Sequence, residues 1–153
     1  FLTVTPSPML EGANNERRRC TVSVAVCYKR DFAVAPTEVT AGVVWGRTPA
    51  GVMISGVKLP DGSNVDMAQW VLLKGLRNVG GSDVVHAQWY RVAAGSGLYY
   101  VLEGPNWPAL PGSTPDEEPY ELKAANAKLI ILPSVLGVYT TTVELNRAPQ
   151  WLR

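Results

Sequence analysis

Short stretches in which apolar and polar residues alternate run along most of the chain and predict β-strands. They are rich in Val, Ile, Tyr, Trp and Thr, and they cover residues 20–34, 39–45, 51–59, 70–76, 84–92, 98–103, 128–132 and 138–145. Turn signals rich in Gly, Pro, Asn and Asp stand between them about every ten residues. This rhythm predicts an all-β fold, an antiparallel β-sandwich or barrel of jelly-roll-like type with long loops.

At most one or two short helices are expected. Residues 65–74 could start a helix at Asp66, and residues 117–126 follow acidic residues that suit a helix N-terminus. The turn residues Asp61 and Gly62 predict a hairpin between the strands that flank them. The proline-rich residues 103–118 are interpreted as a long, stiff surface loop.

The run Ala35-Pro36-Thr37-Glu38 is typical of a linker. We therefore predict two units: residues 1–38 as terminal strands with the linker, and residues 39–153 as a separate β domain.

Composition and charge exclude several classes of protein. The 153 residues are 46% hydrophobic and 18% charged, which excludes a disordered tail or a coiled coil. A net charge of +1 is much lower than is typical of a domain dedicated to binding nucleic acid. No apolar stretch approaches the roughly 20 residues of a transmembrane helix, so membrane insertion is not expected.

Residues that could support catalysis or bind transition metals are few. The single histidine, His86, shares a strand face with Gln88 and Tyr90, and no nucleophile motif accompanies it. We therefore expect no enzyme activity. Cys20 and Cys27 flank an extended run that separates them by roughly 23 Å, too far for a disulfide, so free thiols are expected.

Two clusters of charged residues leave alternatives open. Carboxylates at four positions could supply oxygen ligands to calcium: Asp61, Asp66, Asp116 and Glu117. The simpler interpretation is that they are turn, capping and solvated loop residues. No other cofactor is expected. The adjacent Arg17, Arg18 and Arg19 could contact RNA or the carboxylates of a neighbouring subunit.

Three segments follow one another in an order that matches a known pattern. The opening strands through residue 34, then Pro36 in a linker, resemble the last hairpin of the jelly-roll shell domain of small icosahedral RNA viruses and its link to a protruding domain. Residues 69–81, then 89–91 and 129–133, are similar in order and spacing to the protruding domains of fish nodaviruses. The chain thus resembles a nodavirus-like capsid protein. Most of a shell barrel and a basic arm are missing, so the resemblance implies a C-terminal fragment to which RNA packaging cannot be assigned.

The resemblance implies a structural coat protein of the virion. Its work would be self-association about a dimer or trimer axis and presentation of loops to a host receptor or glycan. Contact residues are expected on the exposed loops, at Asp61, Asn64, Ser96, Asn106 and Trp107. For Trp107, local packing is the alternative to an exposed anchor. A monomeric carbohydrate-binding β-sandwich module of a secreted protein is the alternative function.

Overall fold

The computed structural model describes the backbone of residues 2–10, 17–27, 36–49, 51–79, 81–107 and 119–146. Side chains are described in these ranges except at residues 2–10, 17–21, 77–79, 84 and 144–146. The described part of the chain holds ten strands: β1 Leu2–Leu10, β2 Arg17–Cys27, β3 Thr37–Thr40, β4 Gly42–Thr48, β5 Gly51–Lys58, β6 Trp70–Val79, β7 Ser82–Ser96, β8 Tyr99–Glu103, β9 Lys128–Ile131 and β10 Val135–Asn146. One turn of 3-10 helix lies at Tyr120–Leu122.

Seven of these strands form one antiparallel sheet, in the order β3-β9-β6-β7-β8-β5-β4. Its two edge strands are consecutive in sequence, because β3 ends at Thr40 and β4 begins at Gly42. Ala41 between them is fully buried, and its amide donates to the carbonyl of Ala127, just before β9, at 3.1 Å. The sheet therefore closes on itself as a barrel in which β3 and β4 form one bent strand.

Alternation along the strands fills this barrel with apolar side chains. On β7, His86, Tyr90 and Val92 of one face are buried, while Val85 and Arg91 of the other face are exposed. The largest fully buried side chains come from strands and loops alike: Trp107, Tyr90, Leu59, Leu73, Leu122 and Leu129. Each buried large apolar side chain stabilises the fold by about 1.5–3 kcal/mol.

A second, three-stranded sheet has the order β1-β2-β10 and packs on the outside of the barrel. Ala25 of β2 joins a buried cluster with Leu72, Trp89 and Leu132 from the barrel side. The pairing of β2 with β10 crosses the boundary predicted near residue 38, because β2 precedes that boundary and β10 follows it. The strands on the two sides are thus hydrogen-bonded to each other, and the division into two folding units stays a prediction.

The predicted fold class is confirmed: the described chain is all-β and antiparallel, and each of the eight predicted stretches contains a strand. The hairpin predicted around Asp61 is wrong, because β5 pairs with β4 and β8 and not with β6. The turn is instead a crossover between distant strands of the sheet.

Neither of the two stretches that could be helical forms an α-helix in its described residues, which agrees with the expected upper limit of one or two short helices. Residues 70–74 belong to β6, where Val71 and Leu73 are buried in the barrel. In the described part of residues 117–126, the helical structure is the single turn at Tyr120–Leu122. Within the described residues, no helix has the length and apolar character needed to cross a bilayer.

Candidate functional site

The turn after β5 has a defined geometry that the sequence explains. The amide of Ser63 donates to the carbonyl of Pro60 at 3.2 Å, and Gly62 has a φ of +82°. A positive φ at the third position is the feature of a type II turn, and glycine adopts it without strain. The Gly62 amide also donates to Oδ1 of Asp61 at 3.0 Å, which fixes the carboxylate above the turn.

Two of the three loops predicted to make contacts meet at this end of the barrel. The Tyr100 hydroxyl lies 3.5 Å from the carbonyl of Ser63, to which it donates. The amide of Leu59 donates to the carbonyl of Leu98, in the β7–β8 turn, at 3.0 Å. Ser96 is exposed at the tip of that turn. The structure therefore places Ser96 on the same end of the barrel as Asp61 and Asn64.

A cleft of about 470 Å³ lies beside the turn. Two strands and the turn line it with the residues Thr37, Val39, Pro60, Asp61, Gly62, Ser63, Asn64 and Ile131. Ile131 and Val39 are buried or half-buried, whereas Asp61, Asn64 and Thr37 are exposed. The cleft thus combines an apolar floor with a polar rim, the usual composition of a small-molecule site.

The third predicted loop lies elsewhere, and the expectation of an exposed anchor at Trp107 is wrong. Trp107 is 0% exposed. Its backbone pairs with Val52 at the start of β5 through bonds of 2.9 and 2.6 Å, and this pairing turns the ring into the barrel. Local packing is therefore the role that the structure gives to this side chain.

Asn106, next to Trp107, is half-buried and donates from Nδ2 to the Thr48 hydroxyl at 3.3 Å. Gln88 donates from Nε2 to the carbonyls of Pro105 and Asn106, at 2.7 and 3.1 Å. Residues 105 and 106 are thus hydrogen-bonded to strands β7 and β4 of the barrel. Because β5 (Gly51–Lys58) separates Val52, which pairs with Trp107, from Leu59, which is bonded to the β7–β8 turn, the two loop regions lie about 20 Å apart. The rest of the predicted loop, residues 108–118, lies outside the described residues.

A buried polar group lies beside Trp107. His86 is 6% exposed, and burial lowers its pKa from 6.5 to about 4. Burial likewise raises the pKa of the Tyr90 hydroxyl well above its usual range. No described group hydrogen-bonds His86 Nε2, the Tyr90 hydroxyl or Trp107 Nε1. The imidazole is therefore neutral at physiological pH and closed off from a substrate in solution.

The predicted calcium ligands are only partly described. Asp61 and Asp66 are both exposed on the segment between β5 and β6, and Asp66 does not line the cleft. Among the described residues, no group of three or more His, Cys, Asp or Glu side chains could hold a metal ion. Asp116 and Glu117 lie outside the described residues, so calcium binding there stays a prediction.

The basic run and the cysteines lie on β2. Arg17, Arg18 and Arg19 begin this strand, and the register places Arg19 opposite Glu144 of β10. Their side chains are outside the described part, so contact with RNA or a subunit stays a prediction. Cys20 and Cys27 occupy one extended strand, as predicted, and Cys27 is a free, exposed thiol.

Sequence reasoning missed most of the cleft and the exposed face of the three-stranded sheet. Thr37, Val39 and Ile131 meet the turn only because β3 and β9 pair next to it. No local sequence pattern predicts this contact between the turn and the two strands. The exposed sheet face follows from the alternation in β2 and β10, but only once it is known which side packs on the barrel.

No family model matches the chain, and searches of curated proteins and of solved structures found no match. The functional interpretation therefore rests on the residues themselves and on the resemblance drawn from the sequence.

Proposed function

We propose that this chain is part of a viral coat protein that associates with copies of itself and presents the loops around Asp61 to the outside. The viral part of the proposal rests on the sequence resemblance to nodavirus-like capsid proteins. The self-association part rests on one surface, the outer face of the three-stranded sheet, which we define by Val24, Val26, Leu136, Tyr139 and Val143.

Large apolar side chains are exposed on this outer face. Tyr139 is 71% exposed and Leu136 is 65% exposed, and Val24 and Val26 are each 43% exposed. They neighbour one another, because the register pairs Tyr139 with Val24 on adjacent strands. A cluster of exposed apolar residues on one sheet face is typical of a protein contact surface.

The opposite face of the three-stranded sheet is already covered, because it packs against the barrel. Ala25 and Val138 pack on the barrel, and the hydroxyl groups of Ser23 and Thr140 are hydrogen-bonded to each other, with their oxygens 2.9 Å apart. Because a sheet that is apolar on both faces needs a cover on each, the outer face calls for a partner layer.

A second copy of the chain suits this face. Where the side chains of this face are described, at residues that also include Val22 and Thr141, none carries a charge. In this part, copies of the face can therefore meet about a dimer or trimer axis without bringing like charges together. We propose this copy as the occupant, in the dimer or trimer that a coat would use in the virion.

The loops at the Asp61 end support the second half of the proposal. Asp61, Asn64 and Ser96 are exposed together on the barrel, whose strands hold them in place. Recognition residues on loops carried by a rigid β scaffold are a common arrangement for binding a receptor or a glycan.

The test is the oligomeric state after a charge is placed on the outer face. Tyr139→Glu brings like charges together where copies of the outer face meet, so it should abolish association. Tyr99→Glu is the matched control, because Tyr99 is also an exposed tyrosine, 55% exposed, but lies on the barrel wall next to Lys58. A wild-type chain that stays monomeric favours the monomeric carbohydrate-binding module instead.

A further inference from the structure

The cleft beside the Asp61 turn offers a particular set of contacts. Its floor is apolar, formed by Val39, Ile131 and the ring of Pro60. Its rim carries hydroxyl, amide and carboxylate groups from Thr37, Ser63, Asn64 and Asp61. A ligand that fits both parts must have an apolar face and several polar groups at its edge.

The rim is held in place before any ligand binds. The turn is closed by the hydrogen bond from Ser63 to Pro60 and is fixed to the barrel through Tyr100. Oδ1 of Asp61 already accepts the Gly62 amide, which orients the carboxylate and leaves Oδ2 for a ligand. Such preorganisation lowers the entropic cost of binding.

Other rim groups keep their hydrogen-bonding capacity. In the described part of the chain, neither the side-chain amide of Asn64 nor the hydroxyl of Thr37 has a hydrogen-bond partner. An amide that both donates and accepts, next to a carboxylate that accepts, matches a pair of neighbouring hydroxyl groups. Hydrogen bonds to the carboxylate are the stronger ones, because they are assisted by charge.

The charges around the cleft narrow the ligand class. Among the described residues that line it, there is no lysine or arginine, and Asp61 is the only ionisable one. An anionic ligand would therefore meet a negative charge without a compensating cation from these residues. The apolar floor does not suit a hydrated metal ion, but it suits the C–H face of a sugar ring. The volume of about 470 Å³ falls in the range of small-molecule sites and accommodates one or two rings.

We propose that this cleft binds a neutral saccharide of one or two rings. Vicinal hydroxyls contact Asp61 and Asn64, and the C–H face lies on Val39 and Ile131. The inference deepens the proposed function, on which its biological meaning rests, because it gives the outward loops a ligand class.

The experiment is a titration followed by amide NMR in the Tyr139→Glu background, so that self-association does not affect the spectra. The probes are methyl glycosides of glucose, galactose, mannose and N-acetylglucosamine, with lactose and its sialylated form, each raised to high millimolar concentration. At least one neutral probe should shift the Gly62 and Asn64 resonances. Sialylation of lactose should give no gain in affinity, because Asp61 repels the added carboxylate.

Asp61→Ala and Asn64→Ala should each weaken the binding roughly tenfold or more, since each removes a polar contact to the sugar. Asp66→Ala is the matched control: it removes an exposed carboxylate from the same segment but outside the cleft, and should leave the affinity unchanged. All three positions are exposed, so the variants should keep the wild-type amide spectrum elsewhere.

Three results would overturn the inference: no neutral probe shifts the cleft resonances, binding persists in both cleft variants, or the sialylated probe binds more tightly than lactose. A chain that does not associate but binds a sugar here would refute the assembly proposal alone.

Discussion

The indole ring of Trp107 packs edge-on against the imidazole of His86, with ring centroids 4.6 Å apart and planes inclined at 63°. Gly75, opposite His86 on β6, makes room for this pair. A Cβ atom at Gly75 would lie 3.0 Å from the indole and 2.7 Å from Cβ of Glu121. Three segments that are distant in sequence therefore converge at one end of the barrel, and the stability of the fold should be sensitive there.

The buried imidazole predicts that the protein loses stability in acid. Its pKa is about 4 in the fold against 6.5 when exposed, so the unfolded chain binds the proton more readily. The contribution of neutral His86 is complete above pH 6.5, falls as the pH drops below that value and is lost by about pH 4. The loss amounts to about 3 kcal/mol.

Urea unfolding of the wild type and of His86→Phe across this pH range measures the effect. The variant keeps an aromatic ring beside Trp107 but cannot titrate, so its stability should fall less over the same range. Parallel pH profiles for the two proteins would contradict a buried, neutral His86.

Trp107→Ala should destabilise the fold strongly. The ring is fully buried, and removal of a buried aromatic side chain costs about 3–5 kcal/mol. Met67→Ala is a control, because Met67 is 60% exposed and its truncation should change the free energy of unfolding little. Chemical denaturation of both variants gives the comparison. If Trp107→Ala lowered the free energy of unfolding by less than about 1 kcal/mol, the ring would not be buried, and the sequence-based interpretation of Trp107 as an exposed anchor would stand.

The strand pattern was predictable because burial on one face leaves a period of two in the sequence. This alternation correctly placed His86 and Tyr90 on one face of β7, but it did not show that this face is the buried one. Trp107 was not, because its position depends on a backbone pairing with Val52, 55 residues earlier, and its proline-rich surroundings have no periodicity. The Asp61 turn was recognised from its residues, but the strands that it joins were not, since turn chemistry does not specify strand order.

Gly75→Ala and Gly46→Ala form a matched pair in the barrel strands. At Gly75 the added methyl would meet the carbonyl oxygen of Glu121 at 2.8 Å, a backbone atom that cannot easily move. At Gly46 the nearest atom would be the flexible end of Met53 at 3.9 Å. Thermal unfolding should show a loss of about 1–3 kcal/mol for the first variant and little change for the second. Equal effects would mean that Glu121 does not pack over β6.

A chelator should leave the oligomeric state unchanged. Where its side chains are described, the outer face of the three-stranded sheet holds no charged residue, and it brings no carboxylate to the contact that would need a cation. Light scattering with and without EDTA measures this. A fall in mass on chelation would instead assign a cation to the interface and return attention to the predicted calcium ligands, Asp61, Asp66, Asp116 and Glu117.

The solution mass of the wild type, Tyr139→Glu and Tyr99→Glu, measured by light scattering after size exclusion at matched concentrations, tests the proposed self-association most directly. We predict a dimer or trimer for the wild type and for Tyr99→Glu, and a monomer for Tyr139→Glu that is still folded and unfolds cooperatively, without the concentration-dependent stabilisation that association gives the wild type. A wild-type chain that remains a monomer, or a Tyr139→Glu variant that associates as the wild type does, would contradict assembly through the outer face of the three-stranded sheet.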